Sequence, residues 1–247
     1  MAGDIRTLNI GGRQLSVRNW TQEENDAFER DFYSMIAQYD TNVAIDTSHR
    51  HIMADIYYNA KELIKTFGML CAKEIDPTPG IFGGMMEKGG YNMRKIRPDD
   101  IFLSTGQGRT FDYSLSGLTA NNWYAVIDSA AIGGAVTAAL YMRKFLGTII
   151  LGVLDTGGNP IFDELQWTSM EGSSLPIENI VEPMRATNMS LYEFINPVFL
   201  RPAKKYQMAG KVNAIGGSGA LVFIGVTFIR YEELITQQPT TPQITAP

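Results

Sequence analysis

His49-Arg50-His51 is the cluster in this chain best suited to chemistry, because neutral imidazoles ligate zinc and other transition metals. Two histidines spaced by two point the same way on a strand. Asp55, four residues after His51, would share a helix face with it. A protein-built metal site takes three or four ligands, and the chain holds only these two histidines. The segment therefore reads as a helix start or loop with Ser48 as cap, and no residue is assigned to a metal or a cofactor.

Other nucleophile and phosphate patterns are equally incomplete. A reactive serine needs a general base and a strained elbow, and no Gly-x-Ser-x-Gly occurs. Gly217-Ser218-Gly219 reads as a turn. Cys71, the single cysteine, lies between Leu70 and Ala72 and reads as a buried apolar filler; alone it excludes an internal disulfide framework. Gly106-Gln107-Gly108-Arg109-Thr110 lacks both the Gly-Lys-Ser/Thr ending of a P-loop and the third glycine of a dinucleotide fingerprint, so it reads as a hairpin turn. The pairs Asp99-Asp100, Asp163-Glu164 and Glu232-Glu233 are sequence neighbours. Neighbours on a strand point to opposite faces, whereas glycoside hydrolysis needs two carboxylates across a cleft. No catalytic residue is assigned, and the expectation is a protein that is not an enzyme.

Two basic clusters remain. Lys88, Arg94, Lys95 and Arg97 form one, with Tyr91 interleaved; Arg201, Lys204, Lys205 and Lys211 form the other, with Tyr206. Aromatics among cations can stack on single-stranded nucleic acid. The 21 Lys and Arg face 26 Asp and Glu, a net charge of −5, which argues against a dedicated nucleic-acid binder. The first forty residues carry Arg6, Arg13, Arg18 and Arg30 against seven carboxylates, so no basic arm opens the chain. Both clusters read as solvated strand edges, where lysine discourages aberrant pairing.

The elements that would carry these residues change character along the chain. Leu8, Ile10, Leu15 and Val17 flank Gly11-Gly12 and suit a small hairpin. Thr21-Gln22-Glu23-Glu24 has the form of a capping box. Phe28, Phe32, Met35, Ile36 and Tyr39 follow at spacings of three and four, which predicts an amphipathic helix over 21–39. Ile52, Ile56, Ala60, Leu63, Ile64 and Phe67 continue a helical pattern with Gly68 as a stop. Residues 64–75 also fit the period of a strand, and the spacing leaves both open. After Asp76-Pro77-Thr78-Pro79-Gly80, glycine turns separate short apolar runs. Strands are predicted over 101–104, 110–115, 123–127, 148–154, 162–168, 191–196, 206–213 and 221–230, with 130–146 as an inserted helix. Residues 237–247 are rich in Thr and Pro and read as a loose tail or an arm that orders on a partner. No opening apolar segment marks a signal peptide. The longest apolar stretches, 145–154 and 220–229, are about half of what a membrane span needs. A soluble protein of a reducing compartment is expected.

The closing third carries a further signal. Pro197-Val198-Phe199-Leu200-Arg201-Pro202 leads into Lys205-Tyr206-Gln207-Met208, then Gly216-Gly217-Ser218-Gly219, then the apolar run from Ala220 to Phe228. The strand over 145–154, the Gly157-Gly158-Asn159-Pro160 turn and the strand over 162–167 fit the same pattern. It resembles the closing strands of viral and phage jelly-roll virion proteins. The resemblance covers residues 100–235. It implies a mainly β protein: a jelly-roll-like antiparallel β-sandwich over 76–236, a hairpin and N-terminal helical arm over 1–75, and a flexible tail over 237–247. It implies a virion structural protein, made in the host cytoplasm, that self-assembles as a capsid protomer without catalysis or cofactor. Its partners would be copies of itself and other virion proteins, with no specific nucleic acid and no membrane span. Phe28, Phe32, Met35, Ile36 and Tyr39 are the expected assembly interface, docking on the protein's own sandwich or on a neighbour's. Charged residues are 19% of the chain against about 25% in ordinary domains, as a surface covered by neighbours requires. The alternative is a ligand- or carbohydrate-binding sandwich, with Trp20, Trp123 and Trp167 as a stacking platform.

Overall fold

The computed structural model describes residues 5–10, 13–18, 20–40, 47–75, 91–97, 100, 112–114, 118–126, 140–143, 145–155, 162–171, 175–183, 191–213 and 218–230. Strands β1 (Ile5–Ile10) and β2 (Arg13–Arg18) form the expected hairpin, with Ile10 opposite Arg13. Helices α1 (Gln22–Asp40), α2 (Thr47–Asn59) and α3 (Lys61–Ile75) follow. Then come β3 (Tyr91–Lys95), β4 (Asp112–Ser114), β5 (Trp123–Ala125), β6 (Leu140–Tyr141), β7 (Leu146–Asp155) and β8 (Phe162–Glu171). The last are β9 (Leu175–Pro183), β10 (Leu191–Leu200), β11 (Lys205–Val212) and β12 (Ser218–Arg230).

The capping box at the start of α1 is complete. The Thr21 N–H donates to Glu24 Oε2 at 2.6 Å, and the Glu24 N–H donates to Thr21 Oγ1 at 3.3 Å, so two orphan donors are satisfied reciprocally. Residues 47–75 are helical, which decides between helix and strand for that stretch. Gly68 lies inside α3 and does not end it. A Cβ there would stand 2.7 Å from the Phe228 ring and 3.1 Å from the Trp20 indole, so glycine lets the helix press against the sheet.

The molecule is mainly β, with two antiparallel sheets. The first runs β10-β7-β12-β3, with β4 beside the start of β12. The second runs β5-β11-β8-β9, with β6 beside β11. Ile150, Val153, Leu200 and Phe223 of the first sheet share one core with Leu165, Trp167, Met208 and Val212 of the second. The Trp167 ring meets Phe194 at 6.3 Å and Phe223 at 6.4 Å across that core. The opposite face of the first sheet is covered by the helices: Phe32, Ile56, Ile64 and Phe67 pack on Ile149, Leu151, Val226 and Phe228. The central strand β7 is thus buried at every position. A strand covered on both faces reads as a continuous apolar run, which explains the uninterrupted 145–154 segment.

Two expectations differ from the structure. Leu140 and Tyr141 are a strand and Leu146 starts β7, so the inserted helix does not extend over 140–146; residues 130–139 lie outside the described residues. Strand β3 is mostly polar and β9 carries two prolines, so neither reads as a strand from the sequence. Each stands at the end of its sheet path among the described residues, where one side needs no ladder partner and proline is tolerated. The strand over 101–104 and the tail over 237–247 lie outside the described residues.

Candidate functional site

A cleft of about 590 Å³ runs between α1 and β3. Its helix wall is Asp31, Ser34, Met35 and Gln38, spaced as one face of a helix must be. Its strand wall is Met93, Arg94, Lys95, Ile96 and Arg97, five residues in succession. Consecutive strand residues point to opposite faces. β3 itself ends at Lys95, so the strand contributes Met93, Arg94 and Lys95 to the wall, and the chain just after it contributes Ile96 and Arg97.

The two faces of β3 have different chemistry. Met93 packs in the helix-side core, and alternation places Lys95 on that side. Burial pulls the Lys95 ammonium down to about 8, because half-desolvated charge is costly. Arg94 is on the other face. It stands opposite Thr227, which stands opposite Thr148, so the three form a row across β3, β12 and β7. The Thr148 and Thr227 hydroxyls are 3.0 Å apart and buried. Asp100 completes the row: Arg94 Nη2 donates to Oδ1 at 2.5 Å and the Arg97 N–H donates to Oδ2 at 2.8 Å. Burial pushes the Asp100 carboxyl above the ordinary carboxylate range, while Arg94, the Arg97 N–H and Thr227 work against that rise. This polar lock fixes the strand wall of the cleft.

The first basic cluster is divided: Lys88 and the Tyr91 side chain lie outside the described residues, and the other members differ in exposure. Arg94 is largely covered and paired with the buried Asp100, Lys95 is half-buried, and Arg97 is exposed at the rim. In the second cluster, Lys211 pairs with Glu164 at 3.1 Å across β11 and β8, a sheet-surface role as expected.

The other sequence candidates are placed as follows. Phe28, Phe32, Met35 and Ile36 are all at most 5% exposed and dock on the protein's own helices and sheet, the first of the two expected options; the Tyr39 side chain lies outside the described residues. The same helix turns Tyr33 outward. Its ring is 6.2 Å from that of Tyr58, both are exposed, and Lys61 sits 4.8 Å over Tyr33 while pairing with Glu29. His49 and His51 stand on α2, where a spacing of two turns them about 200° apart; His51 and Asp55 share the exposed face. Among the described residues no three His, Cys, Asp or Glu gather as metal ligands. Cys71 is buried against Gly147, where a Cβ would collide with its Sγ. Trp167 lies between the sheets and Trp20 in the helical layer, so the three tryptophans do not form one platform. Gly106 to Thr110, Asp99, and Glu232-Glu233 lie outside the described residues. No helix among the described residues is long and apolar enough to cross a membrane.

Sequence reasoning assigned no role to the cleft, because its helix wall looks like ordinary solvated surface and its strand wall was not recognised as a strand. The one signal was the basic run Arg94-Lys95-x-Arg97. No protein-family model, curated protein or solved structure matches the chain.

Proposed function

We propose that this chain is a structural protomer of a virion shell, built as a jelly roll, whose work is assembly and not catalysis. The strand order carries the reading. In chain order the eight strands of the two sheet paths are β3, β5, β7, β8, β9, β10, β11 and β12. The first pairs with the eighth, the second with the seventh, the third with the sixth and the fourth with the fifth. That is one long antiparallel ribbon. Rolled up, it closes through β12 on β7 and β11 on β8. Two four-stranded paths joined in this way support the jelly-roll reading, an architecture shared by viral capsid domains, lectins and cupins.

Two further observations favour the shell over a ligand-binding relative of the same architecture. Only 19% of the chain is charged, which suits surfaces hidden in an assembly. Among the described residues the large exposed apolar side chains are Tyr33, Tyr58 and Ile195. Tyr33 and Tyr58 form an aromatic pair on the helical layer, the residue type that anchors interfaces. The inward stripe of α1 braces the protomer's own sheet, and its outer flank meets a neighbour.

Sedimentation velocity and negative-stain microscopy of the purified protein test this. Closed particles, sheets or regular oligomers are expected, with the double variant Tyr33→Glu/Tyr58→Glu shifting them toward protomers. A protein that stays monomeric across accessible concentrations overturns the assembly reading.

A further inference from the structure

We propose that the exposed Tyr33–Tyr58 pair on the helical layer docks this chain's own C-terminal tail, through Pro239-Thr240-Thr241-Pro242 in polyproline II form. The inference goes beyond the assembly reading and does not rest on it. Where both hold, the tail leaves the tyrosines before a neighbour takes its place.

Three observations lead there. First, the pair is a built aromatic surface. Tyr33 and Tyr58 are each 48% exposed, with ring centroids 6.2 Å apart and planes tilted by 46°. The fully buried Phe32 ring meets both edge-on, at 5.7 and 6.1 Å, and Lys61 donates to the Tyr33 hydroxyl at 3.2 Å. The rings are held in place before anything binds, which lowers the ordering cost. Secondly, the tail has matching chemistry. Prolines three residues apart return to one face of a helix with three residues per turn, and aromatic surfaces recognise that spacing. Such a backbone makes no internal hydrogen bonds, so its carbonyls are open to tyrosine hydroxyls. Residues 237–247 carry no charged side chain, and the charges beside the rings, Lys61 and Glu29, pair with each other. Thirdly, the tether reaches. Phe228, two residues before β12 ends, meets α3 at Gly68 beside the Trp20 indole. From Trp20 the rings run through Phe28 and Phe32 to Tyr33 in steps of 5.4, 5.6 and 5.7 Å. Residues 231–247 lie outside the described residues. The eight residues 231–238 between Arg230 and Pro239 span up to about 26–29 Å when extended, a reach comparable to that path. A tether of this length holds its own tail at an effective concentration in the millimolar range, which favours it over a neighbour's.

Photo-cross-linking of the full chain tests this. The photo-reactive residue p-benzoylphenylalanine replaces Arg30, an exposed neighbour of Tyr33 one helical turn away. Unlabelled and isotope-labelled chains are mixed, irradiated, digested and mapped by mass spectrometry. Cross-links to residues 237–247 of the same chain are expected. Tyr33→Ser/Tyr58→Ser should lower their yield roughly three-fold to ten-fold, with the melting temperature as the folding check. Pro239→Ala/Pro242→Ala lies beyond β12 and should lower the yield as much at an unchanged melting temperature. Cross-links only to other segments, or none, overturn tail docking. A yield that survives the proline variant overturns recognition through the motif. Cross-links that join labelled to unlabelled chains assign the tail to a neighbour and overturn docking within the chain. Sedimentation velocity on the same samples reads assembly separately, so either reading can fail alone.

Discussion

Tyr57 and Lys95 show how single side chains are given roles by neighbours far away in the chain. Tyr57 is fully buried, and its hydroxyl donates to the Gly225 carbonyl at 2.9 Å and accepts from the Gly225 N–H at 2.9 Å. Gly225 sits at the register shift between β12 and β7, where a ladder loses its regular partners. Tyr57→Phe leaves both backbone groups buried and unsatisfied, so a loss of about 1–3 kcal/mol is expected in urea denaturation. Lys95 predicts a pH effect of definite sign. Its ammonium titrates near 8 in the folded protein against 10.5 when unperturbed. Below about pH 8 the charge is present in both states and its burial cost stands in full. Between about 8 and 10.5 the folded state sheds the proton first, so stability rises with pH through that window. Denaturation at pH 7.5 and 9.5 should show this gain in the natural chain and its absence in Lys95→Met. Neither residue is marked in the sequence as special; both roles come from strands that meet them in space.

Helix α3 poses two opposed effects at one position. Alanine is favoured over glycine inside a helix by about 1 kcal/mol, which alone makes Gly68→Ala stabilising. The added methyl, however, would stand 2.7 Å from the Phe228 ring. That ring is buried and held by Phe67 at 6.1 Å, so it cannot simply turn away. Overpacking of this kind costs about 1–3 kcal/mol, and the sum is a lower melting temperature for Gly68→Ala. The element was legible up to this point. The capping box and the apolar stripe located α1 to within a residue at each end. The spacing over 52–67 pointed to helix, yet glycine was read as a stop because the sequence does not reveal that a sheet lies against it. Strands β7, β8, β10, β11 and β12 were legible from apolar runs between glycine turns. Strands β3 and β9 were not, since strands at the end of a sheet path, as these are among the described residues, escape the demands that make central ones apolar.

At the scale of the whole molecule the helices are a layer and not an appendage. Phe28, Phe32, Met35 and Ile36 are buried on the sheet's outer face. Burying four such side chains contributes about 6–12 kcal/mol, comparable to the total stability of a typical domain at about 5–15 kcal/mol. Removing residues 1–40 should therefore expose Met93 of β3 and the apolar face of α2 that α1 covers, and yield a chain that binds hydrophobic dyes and aggregates in light scattering. A truncated chain that remains folded and dispersed would show that the layer is dispensable. The cleft belongs to this scale as well. Its two walls are more than fifty residues apart in sequence, and only the docking of the helical layer beside β3 brings Ser34 and Lys95 to one groove.

Local chemistry written in the sequence determined the helices, their cap, the apolar strands and the low charge, because each depends on residues within a few positions of one another. Tertiary structure alone decided the strand order, the two-sided burial of β7, the inward docking of the α1 stripe and the cleft between α1 and β3. Those depend on which elements meet, and pairing across dozens of residues leaves no periodic mark on the sequence that encodes it.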